Sequence, residues 1–239
     1  MVSPAHFAKD LKDGIRPLVD LIYPPRCLSC SAAIADHGAL CIDCWNELEF
    51  ASSKDKPATA TETGHSEIMA ATYYNDMSRD LILKFKHGGK LALAPLLGRM
   101  MASRICNEAG EIPLIVPVPL HRTRIWQRGF NQSAMLAREI AKAGCGELKL
   151  DALIRKKRTP SLGNMSADQR RGILAGAIDI RPRAKEGLAG RQVILVDDVL
   201  TSGATSDACA NALLNAQAQS VQIVCFARAD RWADSSATQ

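Results

Sequence analysis

The feature that most constrains this chain is a short apolar run that leads into two carboxylates and a Thr-Ser-Gly turn. Residues 193–196 read Val-Ile-Leu-Val, and Asp197 and Asp198 follow them directly. A run this short and this β-branched predicts a buried strand of a parallel sheet, which the two carboxylates would end. Residues 207–218 are rich in Ala and predict a helix. The stretch therefore predicts a strand–loop–helix unit, which is typical of α/β folds.

The loop of this unit has the composition of a phosphate-binding site. Its residues are Thr201, Ser202, Gly203, Ala204 and Thr205. Glycine lets the backbone approach a ligand closely, and N–H groups at the start of the helix, together with the hydroxyls, can hold a phosphate at the positive end of the helix dipole. Asp197 and Asp198 would repel a lone phosphate, so the pattern favours a ligand that also presents vicinal hydroxyls or Mg²⁺. A ribose 5-phosphate fits this pattern.

The same pattern has two other interpretations. In the first, a buried strand precedes an N-capped helix, and the carboxylates only cap the helix and face solvent. In the second, the strand is the Walker-B strand of an NTPase, which requires a G-x-x-x-x-G-K-[ST] motif upstream. The only Gly-Lys pair is Gly89-Lys90, which Leu91 follows, and the first glycine of that motif is missing. The second interpretation is therefore excluded.

The thirteen residues Val193–Thr205 resemble the 5-phosphoribosyl-1-pyrophosphate (PRPP) motif of type I phosphoribosyltransferases. That motif reads four apolar residues, Asp-Asp, an apolar residue, any residue, Thr, Thr or Ser, Gly, any residue and Thr. The resemblance implies that Asp197 and Asp198 hold the ribose hydroxyls, directly or through Mg²⁺, while the loop 201–205 binds the 5-phosphate.

Four cysteines near the N-terminus have the spacing of a zinc ribbon. They form two C-x₂-C pairs: Cys27, Cys30, Cys41 and Cys44. Each pair turns tightly enough for both thiolates to reach one tetrahedral ion, so we expect a structural Zn²⁺. A redox site, which needs only one such pair, is the alternative. His37 lies between the pairs and is expected to be a surface loop residue, and the remaining cysteines (106, 145, 209 and 225) share no ligand spacing and are expected to be buried or incidental.

Composition limits the class of protein. A chain of 239 residues, 47% of them apolar, suits one α/β domain with a small appendage. It has no run of 18 apolar residues, and charged residues interrupt its N-terminal segment, so neither membrane insertion nor a secretory signal is expected. The sequence predicts a cytoplasmic protein.

The positive charge is concentrated in the middle of the chain. Residues 121–171 contain 12 Lys and Arg against 4 Asp and Glu, which suggests an anionic ligand or a nucleic-acid surface; a merely solvated basic face is the simpler alternative. Arg122 and Arg124 follow an apolar run with two prolines, and bidentate guanidinium groups there could bind pyrophosphate. In the competing interpretation, Trp126 and Phe130 stack on the bases of a single strand.

The coarse pattern divides the chain into four parts. We expect an amphipathic helix and the zinc ribbon in 1–50, a linker or loop in 51–66, a phosphoribosyltransferase-like domain in 67–230 and a polar tail in 231–239. Besides the unit described first, the predicted strands are 68–74, 114–119, 152–158, 177–180 and 221–226. The predicted helices are 7–22, 76–86, 91–106 and 133–143.

The whole layout resembles the ComF family, also called the GntX family, in which a zinc ribbon precedes a phosphoribosyltransferase-like domain. The matching pieces, which extend from about residue 18 to about residue 228, are 21–27, Lys84-Phe-Lys-His-Gly-Gly89, 116–122, Arg128-Gly-Phe-Asn-Gln132 and the PRPP motif. In the loop after the basic strand, Thr159 agrees with the family, but Leu162 and Gly172 replace the usual Gln and Asn. The resemblance implies a parallel sheet flanked by helices that binds Mg²⁺–PRPP at the carboxyl ends of its strands, in a cytoplasmic protein. It links the chain to competence and DNA uptake, or to carbon-source use.

Three functions are consistent with these features. The first is a transferase of the phosphoribosyltransferase type, with Arg122 and Arg124 at the pyrophosphate, the segment 159–170 as a lid and an unknown acceptor. The second is a non-catalytic adaptor in DNA uptake that binds single-stranded DNA or a protein partner, with PRPP as a regulatory or vestigial ligand. The third is a PRPP-sensing regulator that does not consume its ligand.

Overall fold

The computed structural model describes residues 20–52, 58–59, 66–87, 89–105, 111–157 and 176–229. The chain divides into two compact units, Met1–Glu47 and Leu48–Gln239. Of the predicted N-terminal helix 7–22, only residues 20–22 are described, and these are helical. The predicted loop 159–169 and the predicted tail 231–239 lie outside the described residues. The predicted domain bounds stay predictions.

In the first unit, the described residues form short turns around the four cysteines. An isolated antiparallel bridge joins Arg26 to Ala33, and one short helix, α1, spans Ile42–Asn46. Cys41 begins this helix, because its sulfur accepts a hydrogen bond from the Cys44 N–H. So little apolar burial in so short a segment indicates that stability comes from a cross-link or a metal.

The second unit is built on a six-stranded sheet. Its described strands are β1 (Ala58–Thr59), β2 (Ser66–Tyr73), β3 (Leu114–Pro117), β4 (Glu147–Leu148), β7 (Gln192–Leu200) and β8 (Ser220–Arg228), in the order β1-β2-β8-β7-β3-β4. The edge strand β1 pairs antiparallel to β2, and the other pairs are parallel. β1 lies inside the segment 51–66 that was expected to be a linker or loop. Strands β5 (Leu153–Arg155) and β6 (Ile178–Ile180) form a separate antiparallel pair.

The second unit has five described α-helices. They are α2 (Asp76–Lys86), α3 (Leu93–Ala102), α4 (Arg122–Arg128), α5 (Gln132–Lys142) and α6 (Ala204–Asn215). The core of β7 is buried on both faces, as expected of a parallel strand between helices. Val193 and Leu195 belong to one apolar cluster with Cys209 and Leu213 of α6. Successive side chains alternate between faces, so Ile194 and Val196 face the other side of the sheet, on which α3 and α5 pack.

The strand–loop–helix unit and the segment before α5 differ from the sequence-based expectation at three points. β7 does not end at the carboxylates but continues to Leu200, because β8 pairs with it as far as Arg228. α6 begins at Ala204 rather than at residue 207, because Gly203 adopts a left-handed conformation and turns the chain into the helix. The arginine-rich segment 122–128, to which no element was assigned from the sequence, forms α4 after His121 caps its start.

Candidate functional site

The predicted site residues lie at the carboxyl edge of the sheet, where the strand order reverses. From β3 the chain continues outward to β4, whereas from β7 it continues in the opposite direction to β8. The pairing of β3 with β7 stops at Pro117 and Val196, so Asp197 and Asp198 extend beyond the end of β3. In open α/β sheets, ligands bind outside the carboxyl ends of the strands at such a switch point.

Asp197 joins β7 to the first turns of two helices. Its Oδ1 accepts hydrogen bonds from the Asp198 N–H at 2.9 Å and from the Ser133 hydroxyl of α5 at 3.3 Å. Its Oδ2 accepts one from the Ser206 hydroxyl of α6 at 3.2 Å. The residue is half-buried, but burial of its carboxyl group and the neighbouring negative charge of Asp198 raise the pKa of Asp197 to about 7. Three donors bind this carboxyl group, so it holds the end of β7 to the first turns of α5 and α6.

Asp198 has a different partner. It is buried, and the Lys86 ammonium at the end of α2 lies 2.9 Å from each of its carboxylate oxygens. The Lys86 side chain keeps 20% of its surface exposed and the Asp198 side chain 12%, so the pair lies at the margin of the core. The Lys86 ammonium therefore compensates the charge of Asp198 directly.

The predicted phosphate loop 201–205 lies between these carboxylates and α6. Thr201 is exposed, Ser202 and Thr205 are half-buried, and the Ala204 side chain is buried. Gly203, at the N-cap of α6, has φ of +76°, and no side chain caps the helix there. A twelve-residue helix whose first N–H groups are left without a side-chain cap offers these donors to an anion.

The two arginines predicted to bind pyrophosphate lie on α4, which follows β3 in the chain. Arg122 is exposed and Arg124 is half-buried. Arg155, at the end of β5, is buried, and its burial and the nearby Arg124 charge lower its pKa, while the negative charge of Asp197 acts in the opposite direction. The structure thus places Arg155 within electrostatic reach of both Arg124 and Asp197.

The two aromatic side chains predicted to stack on bases have different surroundings. Trp126 on α4 is 90% exposed. Phe130 instead contacts Phe85 of α2, with the ring centroids 6.0 Å apart and the rings tilted by 44°. Only Trp126 has the exposed ring face that base stacking requires.

In the first unit, the four predicted zinc ligands come together. The sulfur atoms of Cys27, Cys30, Cys41 and Cys44 all lie within 4.8 Å of one another, and tetrahedral Zn²⁺ with bonds of about 2.3 Å places its sulfurs about 3.8 Å apart. Although burial raises the pKa of Cys27, backbone N–H donors, that of Cys41 foremost, outweigh burial and lower it to about 6. The cluster therefore fits a structural zinc ion. His37 contacts Asp20 at 2.8 Å and is not part of the cluster.

The cysteines outside the ribbon behave differently from one another. Cys209 and Cys225 are fully buried, as expected, and burial raises the pKa of both thiols. Cys145 is buried and is disulfide-bonded, so it is not incidental. Cys106 lies outside the described residues.

The carboxylates of β7 fit Mg²⁺ only as one part of its coordination shell. Outside the cysteine cluster, the described residues contain no group of three or more potential ligands close together. Asp198 offers carboxylate oxygens, whereas those of Asp197 already accept three hydrogen bonds. Mg²⁺ in phosphate-binding sites typically takes one or two carboxylates and completes its shell with water and substrate phosphate.

Several residues of this site were not predicted to have a role in it. Ser133 and Ser206 are polar residues in the first turns of helices, which sequence patterns usually explain as caps. Lys86 was noted only as part of a family match, and Arg155 only as part of a basic run. Lys86 and Asp198 are 112 residues apart in the chain, so their pairing depends on the tertiary fold.

Comparisons with known proteins agree with this architecture. A double zinc ribbon domain matches residues 18–63, and a phosphoribosyl transferase domain matches residues 125–237. Competence protein F of Haemophilus influenzae is 27% identical to this chain over 79% of the chain and 84% of its own length. DNA utilization protein YhgH of Escherichia coli K12 is 28% identical over 84% of the chain and 89% of its own length. The chain belongs to the ComF family.

More distant relatives of this ComF-family chain share smaller parts of it. Competence protein ComFC of Bacillus subtilis is 27% identical over 59% of the chain and 55% of its own length. Among solved structures, a B. subtilis glutamine PRPP amidotransferase overlaps 55% of the chain and 25% of its own length, with a TM-score of 0.36 and 22% identity. The zinc ribbon and the sheet with flanking helices of the phosphoribosyltransferase type confirm the predicted fold class. In the part of the chain that the structure describes, no helix has the length and apolar character to cross a membrane.

Proposed function

We propose that this ComF-family chain binds ribose 5-phosphate and Mg²⁺–PRPP at the carboxyl edge of its sheet. The observation that carries the proposal is the uncapped start of α6 beside Asp198, reached through the left-handed Gly203. Amide donors and hydroxyls of the loop 201–205 would take the 5-phosphate, and Asp198 would accept hydrogen bonds from the ribose hydroxyls. Such contacts would suit a ligand that carries both a phosphate and a diol, as ribose 5-phosphate does.

The arginines around the site suit the pyrophosphate group of PRPP. The charge of Arg155 interacts with those of Asp197 and Arg124, and Arg122 lies on the same short helix as Arg124. They would compensate the charge of pyrophosphate, and Mg²⁺, held by Asp198 and the substrate oxygens, would supply further compensation when bound.

The proposal extends to transfer of the phosphoribosyl group. In that reaction the bond between C1 and the pyrophosphate oxygen breaks, a bond from C1 to the acceptor forms, and pyrophosphate leaves with the electron pair. The chain would accelerate it by holding C1 and its leaving group in place, because the site contains positioning and charged groups suited to this task. The acceptor class is open, and a panel of bases and amines assayed for pyrophosphate release would identify it.

Calorimetric titration of Mg²⁺–PRPP and of ribose 5-phosphate into the zinc-loaded chain tests the binding proposal. We expect both ligands to bind, and we expect Asp198→Asn to weaken both by about tenfold or more, since a charge-assisted hydrogen bond is worth about 1.5–3 kcal/mol. Asp43→Asn, an exposed aspartate in the ribbon, is the matched control and should bind like the wild type. Absence of binding by a folded, zinc-loaded wild type would refute the proposal.

A second candidate function is binding of single-stranded DNA, which the exposed Trp126 favours. Relatives carry the names competence protein and DNA utilization protein, and an aromatic ring next to arginines is a typical stacking platform. Labelled oligothymidine should bind with an affinity that falls steeply with salt. Trp126→Ala should weaken binding by about 1–3 kcal/mol, whereas Trp45→Ala in the ribbon should not. Binding that is insensitive to salt, or equal in both variants, would count against this function.

A further inference from the structure

Lys86 is a cation inside the site that the predicted ligand contacts do not use. Its ammonium lies 2.9 Å from both oxygens of Asp198. An ammonium has three N–H donors. The two Asp198 oxygens can engage at most two of these donors at this distance, so the third N–H can turn toward a ligand.

The packing of the end of α2 sets the position of the Lys86 backbone. Lys86 is the last residue of α2. The preceding Phe85 is fully buried and contacts Phe130, just before α5. Lys84, two residues earlier on the same helix, forms an i,i+4 ion pair with Asp80. Of these two lysines at the end of α2, Lys86 is the one that pairs with the site.

The chemistry of ribose places Lys86 beside one particular substituent. A carboxylate that accepts hydrogen bonds from the ribose diol contacts the hydroxyl groups on C2 and C3, and C2 is bonded to C1. A cation that holds this carboxylate on its C2 side would therefore lie next to the group on C1. That group is a hydroxyl in ribose 5-phosphate and a pyrophosphate in PRPP.

We propose that Lys86 is a further binding residue of this site, which orients Asp198 toward the ribose and uses its remaining N–H to bind the pyrophosphate on C1. Lys86 thereby selects PRPP over ribose 5-phosphate. The inference rests on the proposed function, because it assumes that ribose binds at Asp198. The orientation of Asp198 affects the binding of both ligands, whereas recognition of the pyrophosphate charge affects the binding of PRPP alone.

The experiment compares Lys86→Gln, Lys86→Met and Lys84→Met, each as the full zinc-loaded chain, by calorimetry with Mg²⁺–PRPP and with ribose 5-phosphate. Glutamine can still donate to Asp198 but carries no charge. We expect Lys86→Gln to weaken PRPP binding about tenfold or more and ribose 5-phosphate binding less than about threefold, since tenfold corresponds to the loss of one charge-assisted contact. Lys86→Met, which cannot hold Asp198, should weaken both ligands. Lys84→Met should change neither.

The outcomes separate this inference from the function on which it rests. If the wild type binds neither ligand, the proposed function is wrong and the inference falls with it. If the wild type binds both ligands and Lys86→Gln weakens both equally, or neither, only the role of Lys86 in recognising pyrophosphate is overturned. If circular dichroism shows that Lys86→Met is misfolded, Lys86→Gln still decides whether the Lys86 charge recognises the pyrophosphate.

Discussion

At the residue scale, the two adjacent aspartates of β7 have unequal surroundings although they occupy equivalent places in the motif. Asp197 accepts hydrogen bonds from Ser133, Ser206 and the backbone, whereas Asp198 pairs with Lys86. The first carboxyl group joins the strand to two helices, whereas the second pairs with a cation at the margin of the core. The sequence-based hypothesis assigned the ribose hydroxyls to both.

The raised pKa of Asp197 predicts a pH dependence of stability. Its folded value of about 7 exceeds the usual value of about 3.9, so the folded state binds the proton more tightly than the unfolded state. The stability from this group is fully present below about pH 4 and is lost as the pH rises through about 7. In Mg²⁺-free buffer without ligand, the melting temperature of the wild type should therefore fall between pH 5.5 and 8 by more than that of Asp197→Asn.

The comparison of these two pH profiles isolates the carboxyl group. Asparagine resembles the protonated acid in shape and cannot titrate, so the difference between the two melting temperatures should shrink toward acidic pH. Differential scanning fluorimetry at constant ionic strength measures it. Parallel profiles for the two proteins would contradict the raised pKa.

The left-handed Gly203 predicts a second effect at this scale. A side chain at φ of +76° is strained, and Gly203→Ala should destabilise folding by about 1 kcal/mol. It should also weaken ribose 5-phosphate binding, because the added methyl group stands where the backbone would approach the phosphate. Gly190→Ala is the matched control: its φ is +70° and an added Cβ meets nothing within 4 Å. In denaturant unfolding, the two variants should lose similar free energies of unfolding. In calorimetry, only Gly203→Ala should bind ribose 5-phosphate more weakly than the wild type.

Sequence patterns predicted the side chains of the motif but not their partners. The run from Val193 to Thr205 carries its chemistry in consecutive residues, so its candidate ligand groups could be named directly. Lys86, Ser133 and Arg155 reach the site from three other segments. Their contribution depends on how helices and strands cross, and local periodicity contains no information about such crossings.

At the element scale, predicted bounds succeeded where local chemistry defines them. The predicted helix 76–86 is confirmed as α2 because Asn75 and Ser78 form a reciprocal capping box at its start. The helix α4 was missed because its seven residues carry no apolar periodicity. The extension of β7 to Leu200 was missed because it depends on pairing with β8, which is a tertiary property.

The close approach of α3 and α5 predicts the effect of a substitution between them. A Cβ at Gly98 would lie 2.4 Å from the Cβ of Glu139, which cannot move without its helix. Alanine favours a helix over glycine by about 1 kcal/mol, but overpacking costs about 1–3 kcal/mol. We therefore expect Gly98→Ala to lower the free energy of unfolding in urea.

Gly187→Ala provides the contrast for that experiment. A Cβ there would meet its nearest neighbour at 3.8 Å, so the substitution should be neutral or slightly stabilising. If Gly98→Ala were at least as stable as the wild type, the two helices would have to separate more easily than their packing implies.

At the scale of the whole molecule, the sheet order creates the site. Only the reversal between β3 and β7 leaves Asp197 and Asp198 beyond the end of a neighbouring strand. Strand order cannot be read from the pattern of a single segment, and the family resemblance implied a parallel sheet without specifying the order of its strands. The zinc ligands, by contrast, were predicted from spacing alone, because two tight knuckles confine their own sulfurs.

The division of the chain into two units predicts that zinc stabilises one of them selectively. The four sulfurs of the cluster belong to the unit Met1–Glu47, whereas the six-stranded sheet belongs to Leu48–Gln239. Structural zinc contributes about 10–16 kcal/mol of apparent binding free energy in zinc-finger peptides, far more than a short segment with little apolar burial can supply.

Cys30→Ser should therefore abolish zinc release in a colorimetric assay and remove hydrogen-exchange protection from residues 20–47. Amides of β7 and β8 should stay protected, because their core contains no metal ligand. Ile42→Ser, an exposed change beside Cys41, should keep the zinc and the protection. If protection were lost equally from the ribbon and the sheet, the two units would not be independent in stability.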